Sequence, residues 1–240
     1  NRERLIVKMA REGVGAARGE EDQTIEIVRC PKRLPDLDSF REGLFYLQDI
    51  SATIPSRMLA PVAGEKVLDS CSAPGGKATH IAELMGNRGL VVACDKDERK
   101  MPLLRENIER LGTSIVRPLV ADGTKIDAVL KPDFDRVLVD APCSNTGVLR
   151  RRIEARRRLR GRELKGLQRV QIDLLRSACT VLRSGGVLVY STCSIEREEN
   201  QGVIEEFLKE THGFELEDEK AFLPKVEGGD GGYAAKIVKR

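Results

Sequence analysis

The chain has 240 residues, of which 40% are hydrophobic but only 4% aromatic, with no Trp, so its core must be built from Val, Leu, Ile and Ala. No apolar run is long enough to span a membrane and no secretory signal opens the sequence, so we expect a cytoplasmic protein without a membrane partner, acting as a monomer. Six scattered cysteines without a Cys-x-x-Cys pair read as reduced thiols, and with only two histidines, His80 and His212, far apart in sequence, no metal site is expected.

The first residue is Asn1 rather than Met, which suggests a fragment or processed form with sequence missing upstream. Residues 1–45 hold a helix-like start, glycines at 13, 15 and 19, and one strand candidate, TIEIV at 24–28. We read them as a small, truncated α+β unit appended to a larger domain over 46–240.

From Glu65 onward strand-like and helix-like stretches alternate. KVLDSCSAPGG (66–76) is a short apolar run followed by a Gly-rich loop. A helix over 77–86 follows, with Ala78, Ile81, Ala82 and Met85 on one face and Gly86 as its stop. A second strand (89–97) ends in acid, and a second helix (98–112) closes on Gly112. Strands over 114–123 and 134–143 come next, then an arginine-rich loop. Leu164, Leu167, Gln171, Leu174, Ala178 and Val181 recur at helical spacing. A turn at 183–186 leads into the strand VLVYSTCS (187–194), and a helix over 199–210 precedes a closing pair of strands, FELEDE and GYAAKIVK. Strands apolar on both faces that alternate with helices predict a parallel sheet covered on both sides, with right-handed crossovers, a doubly wound Rossmann-like domain.

Ligands of such sheets sit beyond the carboxyl ends of the strands. The loop of Cys71, Ser72, Ala73, Pro74, Gly75, Gly76 and Lys77 is placed there. It is not a G-x-G-x-x-G dinucleotide fingerprint. It is not a phosphate loop either, because Cys71 occupies the first glycine position and Ala78 follows Lys77. A nucleoside cofactor without a pyrophosphate remains, with Asp95 placed to bond ribose hydroxyls and Asp122 near an adenine edge. S-adenosylmethionine meets these demands; the alternative is a tight structural turn with ordinary strand-end acids.

Cys143 and Cys193 each follow an apolar run, and strands of this kind lie near one another, so both thiols can reach one crevice. Cys30, Cys71, Cys94 and Cys179 read instead as small buried hydrophobes. DSCSAPGGK, DAPCSNTGVLRR and YSTCSIEREENQ resemble the signature motifs of RNA cytosine-5 methyltransferases. That family includes bacterial small-subunit rRNA enzymes of the Fmu/Sun type, eukaryotic nucleolar proliferation antigens and tRNA cytosine-5 methyltransferases. EGLFYLQDISA (42–52) resembles the segment ahead of their catalytic domain and DGGYAAKIVK (230–239) their closing strand. The resemblance implies a class I methyltransferase fold, S-adenosylmethionine as cofactor, and methylation of a cytosine at C5 in RNA, 16S rRNA being our expectation. It implies Cys193 as the thiol that attacks C6, Cys143 as the thiol that assists product release, and Lys77 in the cofactor or active-site loop. Asp140 is expected to bond the cytosine N3–N4 edge or the cofactor, or else to cap its strand.

Two departures stand out. Asn145 occupies a position where glycine is usual, and Asn tolerates the same backbone angles nearly as well. RRRIEARRRLR lacks the His-Pro often found there. Between Arg150 and Arg162 eight arginines face one acid, Glu154, a local +7 in a chain whose net charge is +3. Arg150, Arg151, Arg152, Arg156, Arg157 and Arg158 are therefore expected to meet RNA phosphates, the alternative being a solvated charged segment. The resemblance also implies that residues 1–45 help bind RNA. Competing readings are a tRNA enzyme, a protein or small-molecule methyltransferase on the same fold, and a non-catalytic RNA-binding ribosome assembly factor.

Overall fold

A computed structural model describes residues 1–152, 161–224 and 229–240. The chain divides into two compact units, Asn1–Leu47 with Ile108–Gly112, and Gln48–Asn107 with Thr113–Arg240.

In the first unit, helix α1 (Arg2–Arg11) is capped by the Asn1 side chain, which accepts from the Glu3 N–H. Strands β1 (Gly15–Arg18) and β2 (Ile25–Arg29) pair antiparallel. The sequence pattern exposes β2 but not β1, because GAAR has no apolar alternation and becomes a strand only by pairing with IEIVR. Met9, Val14 and Leu37 form the buried core, with Leu5, Ile25, Ile27 and Phe40 packed against them. A one-turn helix α2 (Asp38–Arg41) follows.

The second unit opens with α3 (Ile54–Leu59), started by Pro55 at its first turn and ended by Ala60 in the left-handed conformation. Then come β3 (Lys66–Asp69), α4 (Gly76–Leu84), β4 (Leu90–Asp95), α5 (Met101–Leu111, whose residues from Ile108 on count with the first unit), β5 (Val116–Val120), β6 (Phe134–Asp140), α6 (Gly161–Val181), β7 (Leu182–Thr192), α7 (Gln201–Glu210), β8 (Phe214–Phe222) and β9 (Gly232–Lys239). The sheet order is β5-β4-β3-β6-β7-β9-β8. The strands from β5 to β7 in that order are parallel, whereas β9 runs antiparallel to β7 and β8 antiparallel to β9. Strand order reverses between β3 and β6, the switch point at which doubly wound sheets bind ligands. The predicted Rossmann-like fold is present.

Val67, Leu68, Val137, Leu138, Val139, Leu188, Val189 and Tyr190 are fully buried, as the apolar runs predicted for strands covered on both faces. Two strands depart from that expectation. β5 lies at the sheet edge with Arg117 exposed and carries Pro118, a residue that edge strands tolerate. β8, at the other edge, is exposed over most of its length and is rich in charge. The predicted turn at 183–186 is instead a bulge inside β7. The register with β6 jumps from Phe134 opposite Leu182 to Arg136 opposite Val187, and Gly185 takes φ 72°. No helix among the described residues is long and apolar enough to cross a membrane.

Candidate active site

The carboxyl ends of β3, β6 and β7 are neighbours in the sheet, and each carries part of the site. After β3 the chain turns through residues 70–75 into α4. The Ser72 N–H donates to the Cys94 carbonyl (2.7 Å) and the Gly75 N–H to the Ser72 carbonyl (2.7 Å). Gly75 has φ 103°, a conformation that calls for glycine, and a Cβ there would also press on the terminal methyl of Leu104 at 2.5 Å. The Asp95 carboxylate accepts from the Ala73 N–H (3.1 Å) and the Asp97 N–H (2.9 Å), tying the loop to the end of β4. Asp122 caps the turn after β5, accepting from the N–H and hydroxyl of Thr124 (3.0 and 2.8 Å), and these bonds hold its carboxyl below the usual range. Burial pushes the thiol of Cys71 up, and that of Cys94 up to about 12, which suits packing rather than chemistry.

Lys77 does not face solvent. From the first turn of α4 its ammonium donates to Asp140 Oδ2 at 2.6 Å, while the Ser191 hydroxyl donates to Asp140 Oδ1 at 2.7 Å. Asp140 thus joins α4, β6 and β7 and does not merely cap its strand. Burial disfavours the charge on Lys77, but the carboxylates of Asp140 and Asp69 outweigh it and hold the ammonium's pKa above its ordinary value. Nothing local in the sequence marks Asp69. It is fully buried at the end of β3, and neither of its oxygens has a partner in hydrogen-bond geometry among the described residues. Burial, then the nearby charge of Asp140, raises its pKa to about 7, with Lys77 opposing.

The two thiols meet. Cys143 lies in the loop three residues past the end of β6, and Cys193 directly follows β7. Their sulfurs are 3.2 Å apart. Asn145, at φ 62° in the left-handed region, spans both: its Nδ2 donates to the Cys143 carbonyl (3.0 Å) and its Oδ1 accepts from Cys193 Sγ (3.0 Å). The loop shape expected of a glycine survives, with a side chain added. The hydrogen bond from Cys143 lowers the Cys193 thiol below its ordinary value, and Lys77 assists against burial and Asp140. The same bond, together with burial, raises Cys143. The two thiols are thus pushed in opposite directions, Cys193 toward the thiolate and Cys143 toward the thiol.

The first arginines of the basic run have internal partners. Arg150 pairs with Asp230 (3.1 Å), and Arg151 with Asp49 (2.6 Å) and Asp230 (3.0 Å). Both acids are almost buried, which local charge counting could not reveal. Arg152 is exposed. Arg156, Arg157 and Arg158 lie outside the described residues.

The family model for the 16S rRNA methyltransferase RsmB/F matches residues 56–237. The chain belongs to that family. It is a family of methyltransferases on a Rossmann-type sheet, and its methyl donor is S-adenosylmethionine. Among curated relatives, the probable ribosomal RNA small subunit methyltransferase B of Bacillus subtilis is 36% identical over 230 residues, 94% of this chain and 51% of that protein. The ribosomal RNA small subunit methyltransferase B of Proteus mirabilis is 35% identical over 100% of this chain and 57% of its own length. The chain therefore spans about half the length of the curated relatives it matches. Among solved structures, a methyltransferase homologue from Pyrococcus horikoshii superposes with TM-score 0.87 at 30% identity, covering 100% of this chain and 83% of its own. NSun6 from the same organism, solved with SFG, an analogue of S-adenosylmethionine, gives 0.79 at 31% identity, covering 90% of this chain and 59% of its own.

Proposed function

We propose that this chain transfers a methyl group from S-adenosylmethionine to C5 of a cytosine in RNA, 16S rRNA by its family's description, through a transient bond between Cys193 and C6. The observation that carries the proposal is the 3.2 Å approach of Cys143 and Cys193 past the carboxyl ends of β6 and β7, beside the Lys77–Asp140 pair.

The residues present fit the cofactor. Glycines 75 and 76 let a ligand approach the backbone at the start of α4, and the hydroxyls of Ser70 and Ser72 on that loop lack partners among the described residues. Residues 71–77 would hold the methionine end, Asp95 the ribose, and the neighbourhood of Asp122 the adenine. When bound, S-adenosylmethionine supplies an electrophilic methyl group on a sulfonium.

This chain's residues do the rest. The Cys193 thiolate adds to C6, the C5–C6 double bond opens, and C5 gains the electron density it lacks in cytosine. Asp140 accepts from the N4 side of the base, and Lys77 fixes that carboxylate in place. After C5 is methylated its proton passes to solvent water, the electron pair left behind re-forms the C5–C6 double bond and the S–C6 bond breaks. Cys143, held as a thiol against Cys193, gives its proton to the departing sulfur and is reprotonated from solvent. Asp69 stays too deep to meet the base. The target cytosine must be unpaired or flipped out to reach these atoms.

Bisulfite mapping of RNA from cells with and without the protein tests the reading. One cytosine in 16S rRNA losing its methyl mark is the expected result. A lost mark in tRNA would move the substrate, and no lost mark anywhere, with RNA still bound, would favour the assembly-factor reading instead.

A further inference from the structure

Six residues past Cys193, the dipeptide Glu199-Asn200 ends a short 3-10 turn and opens α7. Glu199 is fully buried and Asn200 nearly so. A carboxylate is costly at such a depth unless it is well bonded. Glu199 accepts from the Ser144 N–H (2.9 Å), from the Ser144 hydroxyl, and from Gln171 Nε2 (3.0 Å). Gln171, buried on α6, donates in addition to the Pro142 carbonyl (3.0 Å). The residues on both sides of Cys143 are thereby held. Asn200 treats Cys193 in the same manner. Its Oδ1 accepts from the Thr192 hydroxyl (2.6 Å) and its Nδ2 donates to the Ser194 carbonyl (2.9 Å). The Tyr190 hydroxyl, bonded to the Glu199 carbonyl at 2.6 Å, fixes the dipeptide to β7.

Two adjacent residues therefore grip the two thiol loops, one each, and cannot move independently. An apolar pair would fill the same space without a buried charge. What the polar pair adds is registry between Cys143 and Cys193. We propose that Glu199 and Asn200 are positioning residues that set the distance between the two thiols, Glu199 acting through Cys143 on release of the product and Asn200 acting through Cys193 on formation of the adduct. This rests on the covalent reading above.

The test uses a 16S rRNA transcript, labelled S-adenosylmethionine and denaturing gels that retain protein–RNA adducts. Glu199→Gln, which replaces an acceptor oxygen by a donor, is expected to accumulate adduct as Cys143→Ala does. Its kcat should fall about tenfold or more while KM for RNA holds, the size of effect a misplaced reacting group produces. In a Cys143→Ala background Glu199→Gln should cost nothing further. Asn200→Ala is expected to lower adduct formation by a similar factor. A Glu199→Gln variant whose adduct and turnover fall together, or whose loss multiplies with that of Cys143→Ala, overturns the proposal. If Glu199→Gln does not fold, Ser144→Ala removes the same hydroxyl bond from the loop side, and unchanged release in that variant overturns it.

If Cys143→Ala holds no adduct, the covalent reading has failed, and the clamp is read on the protein alone. Glutathione disulfide accepts two electrons and the two thiol protons as Cys143 and Cys193 form a disulfide, giving two glutathione thiols. Wild type should close this bond about tenfold faster than Glu199→Gln or Asn200→Ala. Equal rates overturn the clamp.

Discussion

Replacing Gly147 by alanine tests how tightly the thiol loops are joined. Gly147 lies in the turn Thr146–Val148, donates its N–H to the Cys193 carbonyl (2.9 Å) and accepts from the Gly231 N–H (2.9 Å). A Cβ at this position would stand 2.3 Å from the Gly231 oxygen and 2.8 Å from the Cys193 oxygen, both backbone atoms. Relieving the first contact requires a shift of about 1 Å, which breaks or stretches both hydrogen bonds. Two such bonds at about 1 kcal/mol each, with overpacking of at least about 1 kcal/mol, give a loss near 3 kcal/mol. For a chain of this size that lowers Tm by about 6–12 °C. Because the Cys193 carbonyl is one of the groups displaced, methyl transfer measured well below Tm should fall about 100-fold. Gly166→Ala is the control. Gly166 lies exposed on α6 with nothing within 4 Å of a new Cβ, and alanine there should be neutral or stabilising by up to about 1 kcal/mol. Thermal unfolding by circular dichroism and turnover at 20 °C, an assay temperature about as far below a mesophilic Tm as is practical, read both effects. A Gly147→Ala protein with wild-type Tm and turnover would refute the reasoning.

Asp69 is raised from 3.8 to about 7 in the folded state, so its contribution to stability is full at low pH and is lost as pH rises through 7. Asp69→Asn removes that dependence. Its Tm relative to wild type should therefore be higher at pH 8 than at pH 5, by the equivalent of a few kcal/mol at most, and a difference that shrinks with pH would contradict the assignment. Asn145→Gly keeps the φ of 62° but deletes the acceptor of the Cys193 thiol, so the pH midpoint of Cys193 alkylation should move down; an upward move would show that the amide stabilises the thiolate. Arg151→Ala should cost about 1–2 kcal/mol by leaving Asp49 and Asp230 with weaker partners. Arg152→Ala should leave Tm alone and reduce the salt slope of RNA binding by about 1, both read by unfolding and by titration at several salt concentrations.

The strands carrying the site were legible because each is an unbroken apolar run of a length suited to a buried parallel strand, and the residues after Asp69, Asp140 and Thr192 had to lie at the ligand-binding edge. Asn145 was legible for the same local reason, since few residues besides glycine take its backbone angles. What was hidden depends on partners distant in sequence. Lys77 meets Asp140 across 63 positions, Ser144 meets Glu199 across 55, and Arg150 meets Asp230 across 80. A charge in a sequence declares its sign but not its depth. Asp69 and Glu199 therefore looked like any other acids, and Arg150 and Arg151 like free cations. Strand β1 and the bulge at 183–186 escaped notice because pairing, not composition, creates them.

The most direct measurement is covalent trapping with RNA that carries 5-fluorocytosine, whose C5 has no proton to lose, so that a C6 adduct cannot resolve by elimination. Mass spectrometry of the digested complex should find the modified nucleoside on the peptide containing Cys193, and none in Cys193→Ala. A nucleoside bound through Cys143 instead, or an adduct that persists in Cys193→Ala, would contradict the account.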